Sequence, residues 1–341
     1  MNTLNYSQIP FWHLAQNILK YDPLPALLEV ENPALRYFIQ RDLLEAPVEP
    51  VEALWQLPPA RRIINQQKSN GCWSYKGGKL NLRSQTNYDQ IETFRMLGEL
   101  VEKYGFNSRH PAMQRAAEFL FSCQTVQGDF RGIYGSQYTP NYSAALMELL
   151  IKAGYADDAR IKRGFEWLLS IRQDDGGWAI PFRTRKLNYT PEVMSGLTLE
   201  PDTTRPFSHM VTGVVLRAFA AHPYYCQVSE AKAAGKLLLS RFFQRDRYVD
   251  RQGVNFWTEF SYPFWFTDLL SSLDTLVRLG FSSSEPEIQE GLAWFREQQQ
   301  ANGLWNLKVV RGKDKHLRFW LDLQVCRVVK AFCAAQEAND C

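Results

Sequence analysis

The stretch "QQKSNGCWSYKGG", residues 66–78, places a glutamine, a glycine and a tryptophan at a set spacing, at Gln67, Gly71 and Trp73. The stretch "QQQANGLWNL", residues 298–307, repeats that spacing, and "CQTVQGDFRG" and "IRQDDGGWAI" carry close variants of it. A looser version surrounds Gly253. The five aromatic anchors, roughly 50 to 80 residues apart, are Trp73, Phe130, Trp178, Trp257 and Trp305. This spacing is typical of a repeat that contains a pair of helices.

The segments on either side of each turn indicate two kinds of helix. Before the turn, segments such as "DARIKRGFEWLLSIRQ" have apolar residues at i, i+3 and i+4 with charge on the other side. After the turn, segments such as "HMVTGVVLRAFAAH" are apolar all round. We therefore predict an outer helix with one solvated face and an inner helix that is buried on all sides. The glycine is predicted to adopt a left-handed conformation, and the glutamine to bind free backbone groups.

Five or six such helix pairs predict an all-α protein, since no strand pattern of comparable strength occurs in the sequence. The pairs could form an open solenoid or a ring closed on itself, and closure would surround a central apolar cavity. We predict an N-terminal extension over residues 1–30, one repeat domain over 31–335 and a tail over 336–341.

The composition narrows the functional classes. Hydrophobic residues make up 45% of the 341 residues, and the net charge of +3 is too small and too scattered to indicate a nucleic-acid partner. No apolar run is long enough to span a membrane, which leaves peripheral membrane contact open. The N-terminus does not resemble a secretory signal, and the six cysteines show no CxxC pair. We interpret them as reduced thiols of a cytoplasmic protein.

The recurring glutamine–glycine–tryptophan turn resembles the QW motif of squalene and oxidosqualene cyclases and of protein prenyltransferase β subunits. The resemblance covers roughly residues 30 to 335. It implies a single (α/α)6-type toroid with a central apolar cavity that is suited to an isoprenoid. The aromatic surplus of 21 Phe, 15 Tyr and 10 Trp agrees with such a ligand. It also implies that chemistry takes place near the N-terminal ends of the inner helices.

The cyclases that begin by protonation use three acidic residues at the start of an inner helix, and the resemblance matches those positions to Ser208, Met210 and Val211. The sequence therefore predicts that the usual acid is missing. Asp202 is the nearest acidic residue, although a lone aspartate in a loop is more often a turn or capping residue. His209 opens the helix and is more often a packed histidine than a general acid.

Protein prenyltransferases hold a zinc ion, and the resemblance matches its ligands to Glu259, Ser261 and His316. A serine hydroxyl is a poor zinc donor, so the ligand set is incomplete. Asp89, Glu92 and Asp268 are further candidates for the rim of the cavity, with capping and solvated helix starts as the simpler interpretation. We predict no resident cofactor, and leave zinc and magnesium as alternatives without a complete ligand set.

Basic and aromatic residues form the remaining candidates. Basic loops that gather on one end of a toroid would form a collar for an isoprenyl diphosphate or an anionic lipid, although loops are also charged for solubility. The candidates for ligand binding are Lys76, Arg83, Arg183, Arg185, Tyr88, Phe207, Trp257, Tyr262, Phe264 and Trp265.

Three functional hypotheses follow. The first is an isoprenoid enzyme that resembles terpene cyclases or prenyltransferases. The second is a non-catalytic toroid that binds a hydrophobic ligand or a protein partner. The third is a subunit whose activity needs a second chain. A catalyst should bring two carboxylates, or a carboxylate and a histidine, within about 6 Å of each other, whereas a binding protein needs only an apolar site.

Overall fold

The computed structural model of the chain describes residues 10–77, 84–310 and 314–340. These residues belong to two compact units. The first unit comprises Met1–Pro50, Leu239–Arg245 and Gly253–Cys341, and the second comprises Val51–Leu238 and Asp246–Gln252.

Helices make up most of both units, which confirms the predicted all-α class. In chain order they are α1 (Pro10–Ala15), α2 (Leu24–Leu28), α3 (Pro33–Asp42), α4 (Pro58–Ile64), α5 (Gln85–Tyr104), α6 (Pro111–Ser122), α7 (Pro140–Leu150), α8 (Ala159–Ser170), α9 (Pro181–Thr184), α10 (Pro191–Ser195), α11 (His209–Ala221), α12 (Ser229–Leu239), α13 (Leu269–Arg278), α14 (Pro286–Gln298) and α15 (Leu317–Asp340). Two short strands, β1 (Glu259–Phe260) and β2 (Lys308–Val309), pair in parallel.

The second unit alternates amphipathic and buried helices, as the periodicity predicts. In α8, the carboxylate of Asp158 caps the helix by accepting a hydrogen bond from the Arg160 N–H, and Ile161, Phe165 and Leu168 form the buried stripe. Helix α11 is buried along nearly its whole length and packs against α7, which is also buried on all sides. The inner helices of this unit thus pack on one another, and α8 covers α7.

The first unit brings the two ends of the chain together. Helix α15 packs against α1, α2, α3 and α13, and α13 in turn packs against α14. The amide of Gln299, at the end of α14, donates to the Tyr21 carbonyl oxygen at 2.7 Å and accepts from the N–H groups of Lys20 and Tyr21 at 2.8 and 3.0 Å. Residues nearly three hundred positions apart therefore share one buried polar contact.

The repeated turns share one hydrogen-bond pattern. Gln67, Gln124 and Gln299 each donate to the carbonyl oxygen of the glycine four residues later, at 2.8 to 2.9 Å. The predicted left-handed conformation is observed at Gly71 and Gly303, with φ of +90° and +85°. A Cβ atom at Gly71 would lie 2.1 Å from the Arg115 carbonyl oxygen, so only glycine fits this close approach.

The tryptophans of the turns make hydrogen bonds to the preceding segment and to the following helix. The indole N–H of Trp73, Trp178 and Trp305 donates in each case to the carbonyl oxygen ten residues earlier, at 2.7 Å. The backbone N–H of the aromatic residue donates to a side chain of the following inner helix. Those acceptors are Thr93, Ser143, Thr212 and Asp322. The turns at Trp73 and Trp305 share all three contacts. The Phe130 turn lacks the indole bond, and at the Trp178 turn the Gln173 amide donates instead to the Asp202 and Arg205 carbonyl oxygens.

None of the helices in the described part of the chain combines the length and the apolar character needed to cross a bilayer.

Candidate functional site

A cluster of polar residues lies at the start of α11. This is the position at which the sequence analysis predicted that the usual acids are missing. The carboxylate of Asp246 accepts hydrogen bonds from the Ser208 hydroxyl at 2.6 Å and from the Met210 N–H at 2.9 Å. The Nδ1 atom of His209 lies 3.8 Å from the same carboxylate oxygen. Ser208, His209 and Asp246 are all buried. A carboxylate and an imidazole thus meet at this helix start, but the carboxylate comes from a distant segment.

A pocket of about 340 Å³ in the second unit carries four cations. We call it the basic pocket; its lining includes Arg183, Lys186, Arg205, Arg247 and Tyr248, and none of its ten lining residues is acidic. The Nε and Nη2 atoms of Arg183 donate to the two carboxylate oxygens of Asp250, at 2.5 and 2.7 Å. Asp202 pairs with Arg205 at 3.2 Å. Four cations against two carboxylates leave a net charge of +2.

Two cations of the basic pocket have no carboxylate partner within the part of the chain that the structure describes, namely Lys186 and Arg247. The guanidinium of Arg247 lies over the Phe207 ring at 5.5 Å, which leaves its N–H groups free to bind an anion. Lys186 has a φ of 60°, a left-handed conformation that a lysine rarely adopts. The fold therefore holds Lys186 in a backbone conformation that lysine disfavours.

Tyr248 connects the basic pocket to the start of α11. Its hydroxyl donates to the Pro206 carbonyl oxygen at 2.6 Å. Burial, together with the nearby carboxylate of Asp246, raises the pKa of Tyr248 to about 12, although Arg205 and Arg247 act in the opposite direction. The phenol is therefore neutral at physiological pH, and the pocket keeps its positive charge.

An aromatic cluster adjoins the basic pocket. The Tyr134 ring lies 5.3 Å from Tyr142, 5.9 Å from Phe182 and 5.1 Å from Tyr189, measured between ring centroids. We call these four residues the aromatic cluster. The Arg183 guanidinium lies over the Phe182 ring at 5.1 Å, so cluster and pocket share a contact. The three tyrosines are half-buried, which leaves part of each ring open to a ligand.

Two predicted rim carboxylates make local contacts instead of facing each other. Asp89 is buried, pairs with the Lys68 ammonium at 3.0 Å and accepts from the Tyr75 N–H at 3.0 Å. Glu92 pairs with Arg95 at 2.7 Å on the same helix. The hydroxyl of Thr204 and the neighbouring Arg205 lower the pKa of Asp202, the nearest acid predicted for α11.

Two of the residues matched to zinc ligands, Glu259 and Ser261, have other partners. Glu259 pairs with Lys308 at 2.5 Å across the β1–β2 pair, where the two residues are in register. The Ser261 hydroxyl accepts from the Trp265 N–H at 3.1 Å. His316 lies just before α15, and its backbone N–H donates to the Asp314 carboxylate at 2.8 Å. Asp268 caps α13 through the Ser271 N–H. Among residues 10–77, 84–310 and 314–340, no three His, Cys, Asp or Glu side chains could together hold a metal ion.

The other predicted binding residues occupy varied positions. Arg183 lines the basic pocket and Phe207 supports Arg247, whereas Arg185 donates to the Glu200 carbonyl oxygen. Lys76 is exposed, and Arg83 lies outside the described residues. Tyr88 stacks on Tyr75. In the first unit, Trp257, Tyr262 and Phe264 are buried and Trp265 is partly exposed.

The described cysteines are free thiols, with Cys341 outside the described residues. Burial raises the pKa of Cys72 and of Cys326, and it raises the pKa of Cys123 to about 11. These three side chains are therefore protonated at neutral pH and are poor metal ligands or nucleophiles.

Two functional candidates escaped the sequence analysis. Asp246 contacts the start of α11 from a segment 38 residues away from Ser208. The one signal in the sequence was a helix start with polar residues and no nearby acid. Asp322 was not among the predicted site residues. In the structure it is buried and accepts from the Trp305 N–H at 3.2 Å. Burial raises the pKa of Asp322 to about 8, so this carboxyl keeps its proton at neutral pH.

Fold and site together define an all-α protein of helix-pair repeats with a basic pocket beside an aromatic cluster. Residues 88–198 match the family model of the squalene-hopene cyclase C-terminal domain. A probable squalene–hopene cyclase of Sinorhizobium fredii is 26% identical over 131 residues, which are 38% of this chain and 20% of that protein. The squalene-hopene cyclase of Schizosaccharomyces japonicus is 36% identical over 58 residues, 17% of this chain and 9% of its own length. The matches thus span a fifth or less of these curated relatives, and they confirm the predicted resemblance to squalene-hopene cyclase-like proteins.

Solved structures give a distant likeness. A variant of the type II terpene cyclase MstE from Scytonema, in complex with geranylgeranyl dihydroxybenzoate, is 14% identical; the match covers 96% of this chain and 99% of that chain, with a TM-score of 0.49. A protein from Actinoplanes is 16% identical over 84% of this chain and 88% of that chain, with a TM-score of 0.38. At such scores the likeness carries no functional conclusion.

Proposed function

We propose that this chain recognises an isoprenoid, and that the aromatic cluster of the second unit binds the isoprenoid chain. The observation that carries this proposal is the convergence of three rings on Tyr134 within residues 88–198, the segment that matches squalene-hopene cyclases. Those relatives are named for squalene, which is an isoprenoid. Aromatic faces suit branched alkyl chains, because they offer a large apolar area with little side-chain entropy to lose.

The proposal favours recognition over protonation by the usual three acids. The resemblance matches two of those acids to Ser208 and Met210, whose O–H and N–H groups both donate to Asp246. The other oxygen of Asp246 accepts from the Arg247 N–H at 2.5 Å. One oxygen of this carboxylate therefore holds the start of α11 and the other holds the backbone of Arg247 and Tyr248, which supports a structural role for Asp246.

Binding is tested by titrating the full chain with farnesol and geranylgeraniol and measuring the dissociation constant by tyrosine and tryptophan fluorescence. Tyr134→Ala removes the ring at the centre of the cluster and should weaken binding by about tenfold, the effect of about 1.4 kcal/mol. The control is Tyr224→Ala, because Tyr224 is a surface ring of the same unit that is 67% exposed. Equal affinities for the two variants, or no binding to the unmodified chain, would refute the proposal.

A second candidate function is turnover of the isoprenoid, and Asp322 is the observation that favours it. A buried carboxyl with a pKa near 8 carries the proton that an acid catalyst needs. The test is gas chromatography of products after incubation with C15 and C20 prenyl alcohols and diphosphates. Asp322→Asn keeps an oxygen for the Trp305 N–H but removes the acidic proton. A new product that disappears in this variant supports catalysis, and no product in either protein leaves recognition as the function.

A further inference from the structure

We infer that the basic pocket is an anion site for a phosphate or diphosphate group, and that Asp250 occupies part of it until the anion binds. The inference rests on the proposed function in one respect: the anion would be the head group of the isoprenoid. The basic pocket itself is defined by its own residues and can be tested without any isoprenoid.

The charges of the pocket favour a multivalent anion. Its lining contains four cations and no acid, and the two partner carboxylates outside the lining leave a net charge of +2. Lys186 and Arg247 come from separate segments of the chain. Lys186 follows α9, and Arg247 follows Asp246. A group with several negative oxygens can contact both cations, whereas a neutral alcohol would leave their charge uncompensated.

The contact between Arg183 and Asp250 indicates which kind of anion suits the pocket. The planar guanidinium of Arg183 meets the two oxygens of Asp250 through two parallel hydrogen bonds, at 2.5 and 2.7 Å. A phosphate presents the same pair of oxygens to an arginine fork. The Asp250 side chain is 45% exposed, so it can leave without breaking the core. The arriving anion would therefore take the place of the aspartate on Arg183.

The contact between the basic pocket and the aromatic cluster suggests how a ligand would be oriented. Phe182 belongs to the aromatic cluster and contacts the guanidinium of Arg183, which lines the pocket. A ligand with an anionic head and an isoprenoid tail could bind both sites at once, with its head at Arg183 and its tail toward Tyr134. The chemistry thus points to a prenyl phosphate or diphosphate rather than to a hydrocarbon without a head group.

The experiment is isothermal titration calorimetry of the full chain with inorganic pyrophosphate and with farnesyl diphosphate. Arg247→Met removes one cation that has no carboxylate partner, and Arg62→Met removes an exposed arginine of α4 in the same unit as its control. We expect Arg247→Met to lower pyrophosphate affinity about tenfold and Arg62→Met to leave it unchanged. Thermal unfolding of both variants establishes that they are folded.

A second pair of variants tests the role of Asp250. Asp250→Asn removes the competing charge while it keeps the shape, and should raise pyrophosphate affinity about three- to tenfold. Asp157→Asn, at an exposed aspartate of the same unit, should have no such effect. Any gain in affinity from Asp250→Asn alone supports the exchange, because loss of a merely structural contact would weaken binding or leave it unchanged.

The outcomes separate this inference from the proposed function. If farnesol binds but millimolar pyrophosphate does not, the anion site is refuted and isoprenoid recognition stands. If pyrophosphate binds as tightly as farnesyl diphosphate and farnesol does not bind, the anion site stands and the isoprenoid proposal fails. Equal losses in Arg247→Met and Arg62→Met would refute the anion site, since the binding would then follow overall charge.

Discussion

Replacing Gln299 with alanine should destabilise the protein more than the same replacement at Gln67 or Gln124. Gln67 and Gln124 each donate two hydrogen bonds from the amide nitrogen to backbone carbonyl oxygens. Gln299 makes two such bonds, to Tyr21 and Gly303, and its oxygen also accepts from the N–H groups of Lys20 and Tyr21. One buried side chain therefore satisfies four backbone groups.

The size of the effect follows from those four contacts. A hydrogen bond contributes about 1 kcal/mol net, and a buried backbone group left without a partner costs about 1–3 kcal/mol. Water can reach part of this site after truncation, because Lys20 and Tyr21 are partly exposed. We therefore expect Gln299→Ala to lower the free energy of unfolding by about 2–4 kcal/mol.

Chemical denaturation measures the loss, and hydrogen exchange locates it. The amides of Lys20 and Tyr21 should exchange much faster in Gln299→Ala, because their acceptor is gone. Gln300→Ala is the matched control, since Gln300 is the next residue and its side chain is exposed. If both variants lose the same stability, or if the two amides stay protected in Gln299→Ala, the reasoning about this contact is wrong.

Two further changes concern buried carboxyls. Burial alone would raise the pKa of Glu148, but Arg217 at 2.8 Å and Lys152 at 2.7 Å lower it, so its stabilisation is present above the ordinary value of 4.5 and is lost as the pH falls below it. Glu148→Gln should lower the free energy of unfolding by about 3–5 kcal/mol at pH 7. It should also weaken the loss of stability at acid pH in a series of denaturation experiments at different pH values; an unchanged loss would contradict this. Asp322 has a raised pKa of about 8 against 3.8 when unfolded, so its contribution is complete below pH 3.8 and falls until about pH 8. Asp322→Asn should therefore gain stability relative to the unmodified chain as the pH rises from 4 to 8, and a constant difference between the two proteins would show that Asp322 does not titrate in this range.

The local features of the fold were predictable, because they depend on residues close in sequence. A glycine four positions after a glutamine predicted a left-handed turn, and Gly71 and Gly303 adopt it. Apolar spacing predicted the buried stripe of α8 and the burial of nearly all of α11. These features follow from backbone sterics and helical periodicity, which any short window of sequence contains.

The site was less predictable, because its contacts join distant segments. Phe207 and Arg183 were candidates, but nothing near them indicates that Asp246 would cap α11 or that Asp250 would hold Arg183. Asp322 takes the place of a hydroxyl that Thr212 supplies in another repeat, a substitution that becomes visible only when the repeats are superimposed in space. Spacing along the chain contains no information about such partners.

The contact of Gln299 with Lys20 and Tyr21 has a consequence for synthesis on the ribosome. The second unit is almost continuous in sequence, so its helices can pack while translation proceeds. Lys20 and Tyr21 leave the exit tunnel early, yet their acceptor is made only after about 280 more residues. Throughout that interval the apolar side chains of α1, α2 and α3 lack α15, the helix that covers them. These three helices therefore expose apolar surface until α15 is made.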